Sequence, residues 1–303
     1  MAYSQWIPKE GITRHAGSPI PEDMEFFASP LPEIGRVISA DSTLTKSKKP
    51  VSPQIKLIFP SLLFLAAAFF FWSVIGPGPA LLTAAVLGAF LWLMIYVSTR
   101  FTHTCSYVGD RGIVEFKISG SRSSRPRSNL LCFKNAAHLY TSQTRSYYNG
   151  VYTGTSYLYR WTRENGGDYK LMGGYRSKEG WPDEKNPWHF ANAAEAIWSN
   201  HKLQAVSAQL KQLGYVEFPM KGNPKAVRVG ELFLEFVLKD GTSQKVAVGD
   251  MKDIRLGSGV FQFKHKDTKW WSGKGKYSFT YAGLPDARLF LLCLDKLAGI
   301  RWS

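Results

Sequence analysis

The most concentrated chemistry in the chain is cationic. The segment SRSSRPRSN carries Arg122, Arg125 and Arg127, and KHKDTKWWSGKGK carries Lys264, Lys266, Lys269, Lys274 and Lys276 around Trp270 and Trp271. Guanidinium and ammonium groups at such density attract anions. Lysines beside indoles suit a lipid headgroup region, where each Lys or Arg contributes about 1 kcal/mol of attraction to an anionic surface. The same groups suit an acidic protein partner.

Catalytic spacing is absent. The chain holds no GxxxxGK(S/T) phosphate loop, no GxGxxG, no GxSxG and no HExxH. His103 and Cys105 form an H-x-C pair, two ligands where a metal site needs more. His138, His189, His201 and His265 are scattered. The three cysteines, Cys105, Cys132 and Cys293, are odd in number and far apart, which excludes a disulfide-stapled scaffold or a Cys-based zinc ribbon. The expectation is a protein that is not an enzyme and takes no cofactor.

The elements that must position the basic groups begin with two apolar runs. Residues 57–75 and 79–97 are each 19 residues long without a charge. At 1.5 Å per residue each reaches roughly 28 Å, one hydrocarbon core. Only Gly76, Pro77 and Gly78 separate them. The pattern predicts a two-helix transmembrane hairpin over 55–99. Lys46, Lys48, Lys49 and Lys56 precede the first run, Arg100 follows the second, and the turn is uncharged. The positive-inside rule then places both termini in the cytoplasm of an integral inner-membrane protein.

Residues 1–54 read as an extended, proline-rich cytoplasmic tail. Prolines recur at 8, 19, 21, 30, 32, 50 and 53, and six bases balance six acids. Trp6, Phe26, Phe27 and Leu31 stand as isolated apolar anchors, suited to contact with a partner.

Residues 100–303 carry +14 of the formal charge of +15. Aromatic residues crowd one predicted hairpin, with Tyr147, Tyr148, Tyr152, Tyr157, Tyr159 and Trp161 about an Asn149-Gly150 turn. Such a surface could stack nucleic-acid bases. No ribonucleoprotein signature accompanies it, and a membrane tether argues against that ligand.

The body reads as α+β. Strand patterns lead to a helix that Asn186 and Pro187 can open and Gly214 can stop. A second run of strands, turning at Asp240-Gly241 and Gly257, leads to a helix after Pro285. The halves repeat weakly: GIVEFKI precedes FKNAAHLY, and LFLEFVL precedes VGDMKDIRL. With NGVYTGTSYLYRW, and DARLFLLCLDKL after KYSFTYAG, residues 105–300 resemble bacterial membrane-anchored pleckstrin-homology-like proteins. The resemblance implies two modules, 100–220 and 221–303, each a curled antiparallel sheet with a C-terminal helix, and implies no catalytic residue. The expected function is an accessory or scaffold subunit that binds other components of a membrane protein complex. Binding of anionic lipid at the cytoplasmic face is the alternative; nucleic-acid binding or catalysis stands further off.

Overall fold

The computed structural model describes residues 6–45, 69, 70, 72, 74, 86, 88–90, 92, 93, 102–119, 126–177, 182–257, 259–269 and 275–300. Alternating apolar positions build fourteen strands among them, and every sheet is antiparallel. The first sheet joins β1 (Val37–Ser42), β2 (Thr102–Gly109), β3 (Gly112–Ser119) and β4 (Arg127–Cys132) in that order. After a 3-10 turn at Phe133–Asn135 come β5 (Ala136–Tyr148), β6 (Val151–Arg163) and β7 (Tyr169–Tyr175), a second sheet. Helix α1 (Trp188–Leu213) closes the first unit.

The plan then repeats. β8 (Tyr215–Pro219), β9 (Ala226–Gly230), β10 (Phe233–Val237) and β11 (Ser243–Ala247) form a four-stranded sheet. A 3-10 turn at Val248–Asp250 leads to β12 (Met251–Gly257), β13 (Val260–His265) and β14 (Lys276–Thr280), and helix α2 (Ala287–Lys296) follows. The repeated sequence pairs fall on equivalent elements, β3 with β10 and the two 3-10 turns with each other. The expected single curled sheet per module is corrected: each unit divides seven strands into separate sheets of four and three. The 3-10 turn at Phe133–Asn135 breaks the ladder between them. β8 pairs with β9, so the second unit begins at Tyr215, ahead of the boundary expected at 221.

The tail reading is also corrected. Val37–Ser42 pairs with β2 from Val37↔Gly109 to Ser42↔Cys105, completing the first sheet from across the intervening apolar runs. Thr13 bridges Ser39 and accepts a hydrogen bond from the Ala40 N–H at 3.0 Å, so the arm covers the β1 edge. Phe26, Phe27 and Ile34 are buried in a cluster with Tyr107, Val114 and Phe116, and Trp6 and Leu31 pack against it. Trp6 meets both Phe26 and Tyr107 edge-on at 5.0 Å. The Tyr107 hydroxyl donates to the Ala28 carbonyl. Burying apolar area against the chain's own sheet stabilises the arm without a partner.

Most of the two apolar runs lies outside the described residues. Those described within them are helical, and Phe69, Phe70, Trp72, Val74, Val86, Phe90, Trp92 and Leu93 are more than half exposed. Among the described residues no helix is long and apolar enough to cross a membrane.

Helix α1 forms where predicted. The Asn186 side chain accepts from the Trp188 N–H at 2.9 Å, and Gly214 takes the left-handed conformation that ends the helix. Its two halves serve different cores. Phe190, Ala191, Ala194 and Trp198 are buried against sheet β5–β7, while Leu203, Val206 and Leu210 pack on the core of the second unit. That second core is dominated by Phe218, Phe236, Phe261, Phe263, Phe279 and Phe290. The shared helix fastens the two units together.

Candidate functional site

Three places collect functional chemistry. The first is the end of sheet β1–β4 from which residues 46–101 depart. Ser42 is paired with Cys105, and the Thr43 N–H donates to the Thr104 carbonyl at 3.0 Å. The departing and returning chains therefore lie side by side. Thr102↔Ser119 and Lys117↔Arg127 extend the same end across β3 and β4. Arg127 is exposed there, while Arg122 and Arg125 lie outside the described residues on the β3–β4 connection. Lys117 pairs with Glu115 at 2.8 Å.

The second place is the lysine cluster. Lys264 and Lys276 face each other across β13 and β14. Lys264 forms an ion pair with Asp253 at 2.7 Å, and Lys266 forms one with Asp250 at 2.5 Å. Those partners hold the Asp253 and Asp250 carboxyls below their usual range, chiefly through the side-chain hydrogen bonds. Two of the five lysines are thus matched by local carboxylates, a feature that sequence density alone cannot show. Lys269 is at the edge of the described residues and Trp270, Trp271 and Lys274 are outside them.

The third place went unnoticed in the sequence: the junction of the two units. Asp286 precedes α2, where an aspartate commonly caps its own helix. Here its carboxylate turns to the first unit instead. Oδ1 accepts from the Leu139 N–H at 3.0 Å and from Trp198 Nε1 at 2.6 Å, and Oδ2 lies 3.2 Å from His138 Nδ1. The Asp286 N–H donates back to the Leu139 carbonyl at 2.6 Å. Lys202 Nζ donates to the Ala137 carbonyl at 2.9 Å beside this contact.

Next to the junction opens a cleft of about 630 Å3. β5 contributes Thr141, Ser142, Gln143 and Thr144; α1 contributes Glu195; α2 contributes Arg288 and Leu291; Tyr159, Thr280 and Tyr281 complete it. Glu195 is 9% exposed, and burial raises its carboxyl to about 7 against the opposing pull of Arg288. No hydrogen bond reaches this carboxylate among the described residues. Burial also pushes the Tyr159 and Tyr281 hydroxyls up, with the Glu195 charge adding to the effect. The cleft can offer hydrogen bonds and one buried carboxylate. Sequence reading missed it because its walls come from four distant segments.

The other candidates separate. His103 and Cys105 lie on β2; Cys105 is buried with its Sγ 3.0 Å from the Tyr107 hydroxyl, and burial pushes the thiol up to about 11. A thiol so held stays protonated and is a poor nucleophile or ligand at neutral pH. Among the described residues no group of three His, Cys, Asp or Glu side chains is placed to hold a metal ion. On the aromatic hairpin, Tyr157, Tyr159 and Trp161 point into the core, while Tyr148 and Val151 at the tip are 72% and 67% exposed. Burial of these rings leaves no continuous stacking platform on β6. No protein-family model matches the chain, and no curated protein matches it.

Proposed function

We propose that the protein is a membrane-anchored, non-enzymatic scaffold. Two pleckstrin-homology-like units form its body, and it binds other subunits of a membrane complex. The observation that carries this reading is the strand pair Thr43–Thr104, from which the segment bearing both apolar runs leaves and to which it returns. A segment of that kind reads as a stalk that enters and leaves the bilayer on the same face. The exposed Phe69, Phe70, Trp72, Phe90 and Trp92 fit lipid better than water. The repeated four-plus-three strand plan with a closing helix supports the pleckstrin-homology-like likeness.

The topology has a direct test. Single cysteines at Lys48 and at Ser303 are expected to react with a membrane-impermeant maleimide only from the cytoplasmic side. Reaction of the two from opposite sides would overturn the stalk. Purification in mild detergent, with identification of the proteins that accompany the chain, tests the scaffold reading; a chain that purifies alone under every mild condition contradicts it.

A second reading, contact with anionic lipid, is favoured at one place. Arg127 shares the sheet end with the departing stalk. The locally paired Lys264 and Lys266 make the other cluster the poorer lipid surface. Changing Arg122, Arg125 and Arg127 together to Glu is expected to remove about 3 kcal/mol of attraction at ~1 kcal/mol per residue. Anionic lipid co-purifying with the chain would fall accordingly. Retention of the same lipid by the triple variant would exclude this role.

A further inference from the structure

β5 is the edge strand of its sheet, pairing with β6 alone. An edge strand offers a row of outward N–H and C=O groups that another strand can take up. Module two already shows how. At Leu139 both outward groups are filled, the N–H by Asp286 Oδ1 and the carbonyl by the Asp286 N–H. The β5–β6 register runs without a shift from His138↔Thr162 to Ser146↔Gly154. The two-residue period therefore turns the backbone groups of Thr141 and Gln143 outward as well. Both residues line the junction cleft, and among the described residues no backbone hydrogen bond takes these groups.

Glu195 lines the same cleft; the residue is 9% exposed and its side chain takes no hydrogen bond among the described residues. A buried carboxylate is costly unless paired. Arg288 stands at the cleft too, and its charge offsets part of that cost, but its guanidinium Nη1 lies 3.4 Å from Asn192 Oδ1 and makes no ion pair with Glu195 among the described residues.

We propose that the cleft receives an extended segment of a partner protein, which adds as a strand to β5 beyond Leu139 and sets a lysine or arginine side chain against Glu195. The backbone ladder supplies affinity without regard to sequence, and the carboxylate supplies selectivity for a basic residue. Asp286 fixes where the added strand must stop, because it already occupies the position before it. This mode of capture rests on the scaffold reading and gives it a docking site.

The test uses the full chain in detergent, immobilised, with two libraries of blocked pentapeptides as probes. One library has Lys or Arg at the centre and the other has Glu; all other positions are mixed. The basic-centred library is expected to be retained at least tenfold more strongly, about 1.4 kcal/mol. Methylation of every backbone nitrogen in the peptides should abolish retention, since neither edge of the peptide then has a donor for the ladder. Glu195→Gln should remove the preference for the basic centre. Gln143→Pro, tolerated on an edge strand, should weaken retention of both libraries.

Equal retention of the two libraries, or retention that survives N-methylation, would overturn the proposal, as would the absence of any retention. The peptide controls stand even if Gln143→Pro fails to fold. Loss of peptide binding alongside intact co-purification of other subunits would leave the scaffold reading standing and remove only this site.

Discussion

Replacing Asp286 by alanine is expected to lower the unfolding free energy by about 3–5 kcal/mol, measured as a shift in denaturant midpoint of the purified chain. The carboxylate is 8% exposed and serves donors from three residues of the first unit. Alanine removes the acceptor and leaves the Trp198 indole N–H and the Leu139 N–H buried without one. Asp286→Asn keeps an oxygen for both and should lose only about 1 kcal/mol, the smaller value of a neutral hydrogen bond. A loss for alanine no larger than that for asparagine would mean the junction does not depend on this residue. The expected order also bears on the cleft, because β5 and α1, which the junction ties to the start of α2, supply part of its lining.

The pH dependence of stability should carry two opposed contributions of comparable size. Glu195 has its pKa raised from 4.5 to about 7, chiefly by burial. Its folded form holds a proton that the unfolded chain releases, so stability is present below pH 4.5 and is lost as pH rises to about 7. His15 runs the other way. It is 1% exposed, stacked on His189 with ring centroids 5.9 Å apart, beside Arg14 and 3.3 Å from Asp41. Burial first, then the Arg14 and His189 charges, lower its pKa from 6.5 to about 4. Stability from that group is present above pH 6.5 and is lost as pH falls towards 4.

Each contribution amounts to about 3 kcal/mol at 1.36 kcal/mol per pKa unit. Between 4.5 and 6.5 their slopes cancel, leaving these two groups a flat top. Glu195→Gln should stabilise the chain at pH 8 and change little at pH 4.5. His15→Phe should spare stability at pH 4.5, and a melting series across pH reads both. If Glu195→Gln fails to flatten the alkaline limb, the carboxylate is not held in the folded state as described.

Long periodic elements were legible in the sequence. Asn149-Gly150 fixed the β5–β6 turn, with positive φ at both residues as that turn type requires. Asn186 and Gly214 bounded α1. The apolar stripe of α1 was harder to read, because Phe190 to Trp198 face one core and Leu203 to Leu210 another. β1 was hidden for a different reason. VISADS has little alternation, and its partner Cys105 lies across the apolar segment, so only tertiary pairing makes it a strand. The lysine cluster looks like open charge in the sequence because its carboxylate partners precede it, Asp250 in the 3-10 turn and Asp253 on β12. The cleft left no local signature, since Gln143, Glu195 and Arg288 converge only after both units have packed.

The side-by-side ends at Thr43 and Thr104 make the apolar segment a removable cassette. A fragment starting at residue 101 would lack β1, strip β2 of its neighbour and uncover Tyr107 and Phe116, inviting aggregation. Excising 46–101 and joining the strands through a short glycine-rich turn instead retains every strand of the first sheet. The connection it replaces already spans a gap one hydrogen bond wide. The shortened chain keeps the Asp286 junction and the β5 edge, and so carries both units and the cleft between them as one piece.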